Sequence, residues 1–280
     1  MEILVSTDWL ADNMGASDLR IVDATYFLPE VGRDAAAEYE AQHIPGAVFL
    51  NLGELVDGAS PLPNTVPPAE KFASRMQALG LGDGSRIVIY DNSPHRTSAR
   101  AWWLFEIFGS PNVAILDGGI GKWIAEKRET ESGKAQLRHR HFTVWRDENA
   151  VATKQEVLAN LSSRAAQLVD ARTMSRFTAE EPEIRAGMAS GHIPGSVCLP
   201  SSRLFNADGT WKRGHELRGL FIEAGVDLDK PLITTCGSGI TAASLLFGAR
   251  LLGKSDVRLY DGSWSDWGSD PATPKAVGAA

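Results

Sequence analysis

Cysteine is scarce in this chain: Cys198 and Cys236 are the only two among 280 residues. Two thiols build neither a disulfide framework nor a four-ligand zinc site. No His/Cys cluster has metal-ligand spacing, so no metal and no other cofactor is expected. Long apolar runs are missing too, since no stretch approaches the roughly 20 apolar residues that cross a bilayer. The N-terminal "MEILVSTDWLADN" lacks a basic region followed by an apolar one, and no signal peptide is read there. Positive charge is in deficit. Lys and Arg number 28 against 35 Asp and Glu, giving a net charge of −7 and a pI near 5.4. That balance excludes a nucleic-acid partner, which calls for a basic face, and disfavours an anionic membrane surface. The expected compartment is the reducing cytoplasm.

What is present describes a globular protein. Hydrophobic residues make up 43% of the chain and charged ones 22%, with eight Trp and ten Phe for cores. The length accommodates two domains, and the sequence shows them directly. "IVDAT" from position 21 returns as "LVDAR" from 168, "HIPGA" from 43 as "HIPGS" from 192, and "ILDGGIGKW" from 115 as "LYDGSWSDW" from 259. The paired start positions are 147, 149 and 144 residues apart. Three matches in one order mean a duplication.

Each half reads as short apolar strands alternating with helices. The runs ending at Asp23 and Asp170 are buried strands. "HIPG" is a turn, and "AVFL" or "SVCL" follows it as a second apolar run. "RIVIY" (86–90) and "PLITT" (231–235) are further strands, each leading through a loop into a helix stopped by Gly. The pattern predicts parallel sheets with helices on both faces. Residues 1–124 form one domain and 151–280 the other. The charged stretch 125–150 between them is read as a linker.

Strand-to-helix loops at the carboxyl ends of parallel strands are where such proteins place their sites. In the second half that loop is "CGSGIT", Cys236 to Thr241, and 145 residues earlier stands Asp91. Amides entering a helix have no intrahelical acceptor, and the helix dipole adds to their positive potential. A sulfur at their centre is stabilised as a thiolate, and a terminal sulfane sulfur on it would be sheltered in the same way. Gly237 and Gly239 leave those amides uncrowded.

These motifs, "HIPGA", "GHIPGS", "SARAWWLFEIFG", "LYDGSWSDWG" and above all "CGSGIT", resemble the tandem-domain rhodanese family, and within it the 3-mercaptopyruvate sulfurtransferases. The resemblance covers nearly the whole chain. It implies two rhodanese-like domains, the first without the catalytic cysteine and with Asp91 in its place. It implies a sulfurtransferase that moves sulfur from 3-mercaptopyruvate through a persulfide on Cys236 to a thiol such as thioredoxin, to a small thiol, or to cyanide. Gly237, Gly239, Ile240 and Thr241 belong to the substrate-binding loop, and Arg176 and Arg185 match the pair that holds the substrate carboxylate. A guanidinium fork suits that task; the plain alternative is two surface arginines among Glu180, Glu181 and Glu183. Ser238 is either a helix-capping hydroxyl or, by resemblance, a catalytic one in a Ser-His-Asp relay. The relay lacks its partners, because Gly53 and Asn64 stand where relatives carry Asp and His.

Thiosulfate-using members carry Arg and Lys in the loop where this chain has Gly237 and Ser238, so a thiosulfate:cyanide sulfurtransferase is the second reading. A phosphatase of similar fold would need Arg six residues after the cysteine, where Ala242 stands. A non-catalytic sulfur- or anion-sensing module is the remaining alternative. Cys198, in the strand fragment "SVCLP", is expected to be packed and inert. His43 and His192 recur in both halves and are assigned to the turns. His95 reads as a solvent-exposed loop residue, with a substitute for the missing relay histidine as the alternative, Arg172 is left out of the site, and Trp102, Trp103, Trp264 and Trp267 are read as packing residues.

Overall fold

The computed structural model describes residues 1–279 and divides into two compact units. The first comprises residues 1–57, 66–147 and 206–211, and the second residues 58–65, 148–205 and 212–280. Each is built on one five-stranded parallel sheet.

In the first unit the strands are β1 (Leu4–Val5), β2 (Leu19–Asp23), β3 (Ala47–Phe49), β4 (Arg86–Tyr90) and β5 (Val113–Leu116), in the order β1-β5-β4-β2-β3. In the second they are β6 (Val151–Ala152), β7 (Gln167–Asp170), β8 (Val197–Cys198), β9 (Leu232–Thr235) and β10 (Val257–Tyr260), in the order β6-β10-β9-β7-β8. The two orders are the same, as the duplication requires. Every pairing is parallel. The α/β class with helices flanking each sheet agrees with the sequence pattern. The two-residue edge strands β1 and β6 are additions, too short to leave a periodic signal.

The central strands β4 and β9 are apolar because they are covered on both sides. Val88, Ile89 and Tyr90 are fully buried, and so are Leu232 to Thr235. The register pairs Asp170 with Thr235 and Asp23 with Tyr90, so each aspartate ends its strand beside the end of the central one. The helices that follow, Ser98–Ile107 and Ala242–Leu251, are almost wholly buried. Trp102, Trp103, Trp264 and Trp267 are core residues, and the indole N–H groups of three of them reach backbone carbonyls: Trp102 to Val113, Trp264 to Ala189, Trp267 to Pro274. Residues 126–147 form no helix or regular strand. They lie within the first unit, where Phe142 packs on Phe72 and Phe105.

The repeated histidines pin the turns. His43 Nδ1 lies 2.7 Å from the Tyr39 carbonyl and His192 Nδ1 2.9 Å from that of Phe177, each ring stacked on that aromatic.

Candidate active site

Cys236 follows β9 directly and is only 2% exposed. Its backbone is held from one side by residues 263–265. The Cys236 amide donates to Ser263 Oγ at 3.1 Å, and its carbonyl accepts from the Trp264 amide at 2.9 Å. The Gly237 carbonyl accepts from both the amide (2.9 Å) and the hydroxyl (2.8 Å) of Ser265. Ser263 reaches this position with φ at +49°, a conformation non-glycine residues adopt only at some cost. Its hydroxyl donates to the Tyr260 carbonyl. The amides of Gly237, Ser238, Ile240 and Thr241 meet no protein acceptor among the described residues. They lead into a ten-residue helix whose N-cap, Thr241, makes no side-chain cap bond. Gly239 takes φ +82°, whereas Gly237 does not use the left-handed region. Of the two glycines, only Gly239 is required by backbone conformation.

The first unit shows what this framework holds when the residue is not cysteine. Asp91 Oδ1 accepts from the Ser93 amide at 2.8 Å and Oδ2 from the Ser98 amide, the first of its helix, at 2.9 Å. Its carbonyl accepts from the Ile120 amide, as that of Cys236 does from Trp264. The Asp91 carboxyl group thus fills one loop, and a thiol opens the other. Gly119 and Gly121 of the first unit correspond to Ser263 and Ser265 of the second. The two hydroxyls that fix the cysteine loop are therefore particular to the half that has the cysteine.

Arg176 and Arg185 are not scattered surface residues. Both bind Glu183, whose side chain is 3% exposed. Arg185 forks it with Nε at 2.8 Å and Nη2 at 2.7 Å, and Arg176 Nη2 lies 2.8 Å from the same carboxylate. Burial works to raise the Glu183 pKa, but hydrogen bonds from Arg185 and then Arg176 outweigh it and hold the carboxyl at about 2. Two guanidiniums and one carboxylate leave one net positive charge. Arg185 Nη1 also donates to Ser265 Oγ at 3.0 Å, and Ser265 to the Gly237 carbonyl, so a continuous chain links Arg185 to the cysteine loop. A Cβ at Gly237 would lie 3.9 Å from Arg185 Nη2. Arg185 opens on a cavity of about 700 Å³ lined also by Pro61, Leu62, Pro63, Ser265 and Asp266. Arg176 does not line it and joins only through Glu183. Lys154 on the same cavity is neutralised by Asp266 (2.7 Å) and Asp270 (3.1 Å). Sequence reasoning missed Glu183, Ser263 and Ser265. The signal for the serines was the exchange of "GIG" for "SWS" between the repeats.

Ser238 does not cap the helix. Its hydroxyl accepts from Asn64 Nδ2 at 3.0 Å, and Asn64 belongs to the 58–65 segment of the second unit. A carboxamide has no proton to exchange in this pH range, so the contact orients Ser238 and does not relay. At Gly53 an added Cβ would stand 3.1 Å from the Tyr26 ring, leaving little room for an aspartate.

Cys198 is buried on β8, its thiol donating to the Arg172 carbonyl at 3.4 Å; burial, and then Asp170, push its pKa up to about 12. Arg172 is locked on Asp170 by Nε (3.0 Å) and Nη2 (2.7 Å), with its guanidinium 4.7 Å from the Trp264 ring. His95 is partly buried, not solvent-exposed as its loop position suggested. Its Nδ1 has no partner among the described residues, and burial lowers its pKa.

Two like-ordered parallel α/β units, one with a cysteine loop at the end of its central strand, define a tandem rhodanese architecture. The rhodanese-like domain model matches residues 6–126 and again 153–270, and the chain belongs to that family. It is 42% identical over 270 residues to the human 3-mercaptopyruvate sulfurtransferase, covering 94% of this chain and 91% of the human one. It is 38% identical to the thiosulfate sulfurtransferase of Cricetulus griseus, with the same coverage. The crystal structure of the 3-mercaptopyruvate sulfotransferase SseA from Escherichia coli superposes with a TM-score of 0.86 at 37% identity, covering 94% of this chain and 99% of that one.

Proposed function

We propose that the protein is a sulfurtransferase in which Cys236 accepts sulfur from 3-mercaptopyruvate. The Cys236 thiolate attacks the donor's sulfur. The sulfur–carbon bond breaks with its electron pair on carbon, and the resulting enolate takes a proton to become pyruvate. Cys236 then carries a persulfide, and a thiol acceptor or cyanide removes the outer sulfur and regenerates the thiolate. Arg185, with Arg176 held beside it through Glu183, binds the donor's carboxylate. Asn64 and Ser238 bond each other and offer no base, so the proton for the enolate comes from the donor's own thiol or from water. Ser238, Gly237, Gly239, Ile240 and Thr241 frame the sulfur.

The observation that carries this reading is the Arg185–Ser265–Gly237 chain. It sets one net positive charge, suited to a monocarboxylate, against the cysteine loop. Thiosulfate, a dianion, would meet no loop cation at Gly237 or Ser238. A relative named for thiosulfate keeps that donor as the second reading. Comparing kcat/KM for the two donors decides between them: 3-mercaptopyruvate should be favoured, and equal or better efficiency with thiosulfate would overturn the assignment. Thioredoxin as acceptor and a cytoplasmic location are parts of the same proposal.

A further inference from the structure

The two units differ beside their first buried aspartate. In the second, the Arg172 guanidinium fills the space there: it forks Asp170, donates to the Gly191 carbonyl at 2.8 Å and lies over Trp264. The repeat register places Thr25 opposite Arg172, Ile120 opposite Trp264 and Gln42 opposite Gly191. Smaller side chains at the first two positions remove both the cation and the ring above it. What remains in the first unit is a cavity of about 200 Å³, lined by Asp23, Thr25, Tyr39, Gln42, Asn92 and Ile120 among others. Gln42 and Asn92 of its lining are exposed.

Asp23 at its floor is 3% exposed. Its Oδ1 accepts from the Thr25 amide (2.8 Å) and hydroxyl (2.5 Å), and the Tyr90 phenol also bonds it. All of these donors are neutral, and an ionised carboxylate buried without a cation is costly. Asp91 adds further negative charge nearby. Glu38 on the cavity wall is already forked by Arg33 and bonded by Asn92.

We infer that this cavity binds an alkylguanidinium ion, with the Asp23 carboxylate forking it as Asp170 forks Arg172. The site is independent of the sulfur chemistry, and its ligand is either a small guanidino compound or an arginine side chain presented by a peptide.

Methylguanidinium chloride titrated into the full chain by calorimetry, at pH 8 and constant ionic strength, tests this. Saturable one-site binding in the millimolar range is expected, with methylammonium at least tenfold weaker because an ammonium cannot make the two-point fork. Thr25→Arg, which supplies the guanidinium from within, should abolish binding and raise Tm. Asp23→Asn should abolish binding with the circular dichroism spectrum unchanged. The tripeptide acetyl-Gly-Arg-Gly-amide assigns the source: binding equal to methylguanidinium points to a peptide, and binding only of methylguanidinium to a small compound. No saturable heat with the wild-type chain, or the same affinity in Asp23→Asn, would overturn the inference. If either variant fails to fold, the other carries the comparison.

Discussion

The loops after β4 and β9 are copies of one device with different contents. After β4 the loop closes on its own side chain, with the two Asp91 carboxyl oxygens taking the amides of Ser93 and Ser98. After β9 the corresponding residue is Cys236, and the amides of Gly237, Ser238, Ile240 and Thr241 have no protein acceptor among the described residues. The first loop is satisfied from within by Asp91. The second leaves those donors open, which is what the proposed persulfide on Cys236 would require. The comparison teaches that one framework either closes on its own carboxyl group or leaves its amides open beside a thiol. Under the proposed function, that difference is what frees the second loop for sulfur chemistry.

That contrast can be broken by substitution. For activity, the largest effect belongs to Cys236→Ser, which should abolish turnover. Cys198→Ser should keep turnover within about twofold of wild type, because its thiol is packed on β8 and burial holds it protonated. Steady-state rates on the two variants check this, and the reverse outcome would move the site to β8.

Next come the arginines. Arg185→Ala should lower kcat/KM by roughly tenfold to a hundredfold, the worth of a charge-assisted pair. Arg176→Ala should cost less, since Arg176 acts through Glu183. Arg185→Lys should rescue only in part, because an ammonium cannot fork a carboxylate. Iodoacetamide should still alkylate Cys236 in these variants at close to the wild-type rate. A collapse of alkylation alongside turnover would show that the arginines serve the loop and not the donor.

For stability, the pH behaviour of Asp23 comes first. Burial pushes its pKa up to about 6. A carboxyl raised in the folded state keeps a proton that the unfolded chain has released. Its stabilisation is therefore complete below about pH 4 and is lost as pH climbs through about 6, amounting to as much as about 3 kcal/mol. The unfolding free energy of wild type relative to Asp23→Asn should fall across that window; a flat difference would show that Asp23 is not strained by burial. A smaller loss, about 1–3 kcal/mol, is expected for Asp91→Asn, whose amide would turn an N–H toward a buried donor. Denaturant midpoints measure it, and an unchanged midpoint would mean that the carboxylate does not hold its loop.

The sequence made the duplication, the sheet class and the Cys236 loop legible because each leaves a local mark. Apolar runs of four or five residues announce β4 and β9, and Gly-Ser-Gly announces the loop. The rest depended on contacts between distant segments. Glu183 sits in a run of glutamates that looks solvated, and only folding buries it between two arginines. Asn64 meets Ser238 across 174 positions, a pairing without periodicity to betray it. Ser263 and Ser265 were visible as letters, yet their role needed the turn that brings them under Cys236. The position of Ser238 leaves a helix cap and a catalytic hydroxyl equally open, and only the fold brings Asn64 to its hydroxyl.

The most direct test of the cysteine loop as sulfur carrier is the intact mass of the protein after brief incubation with 3-mercaptopyruvate and removal of excess donor, followed by peptide mapping. The account predicts one added sulfur atom, located on Cys236, present in Cys198→Ser and absent in Cys236→Ser. An added sulfur on Cys198, or no added sulfur on a chain that still turns over the donor, would contradict it.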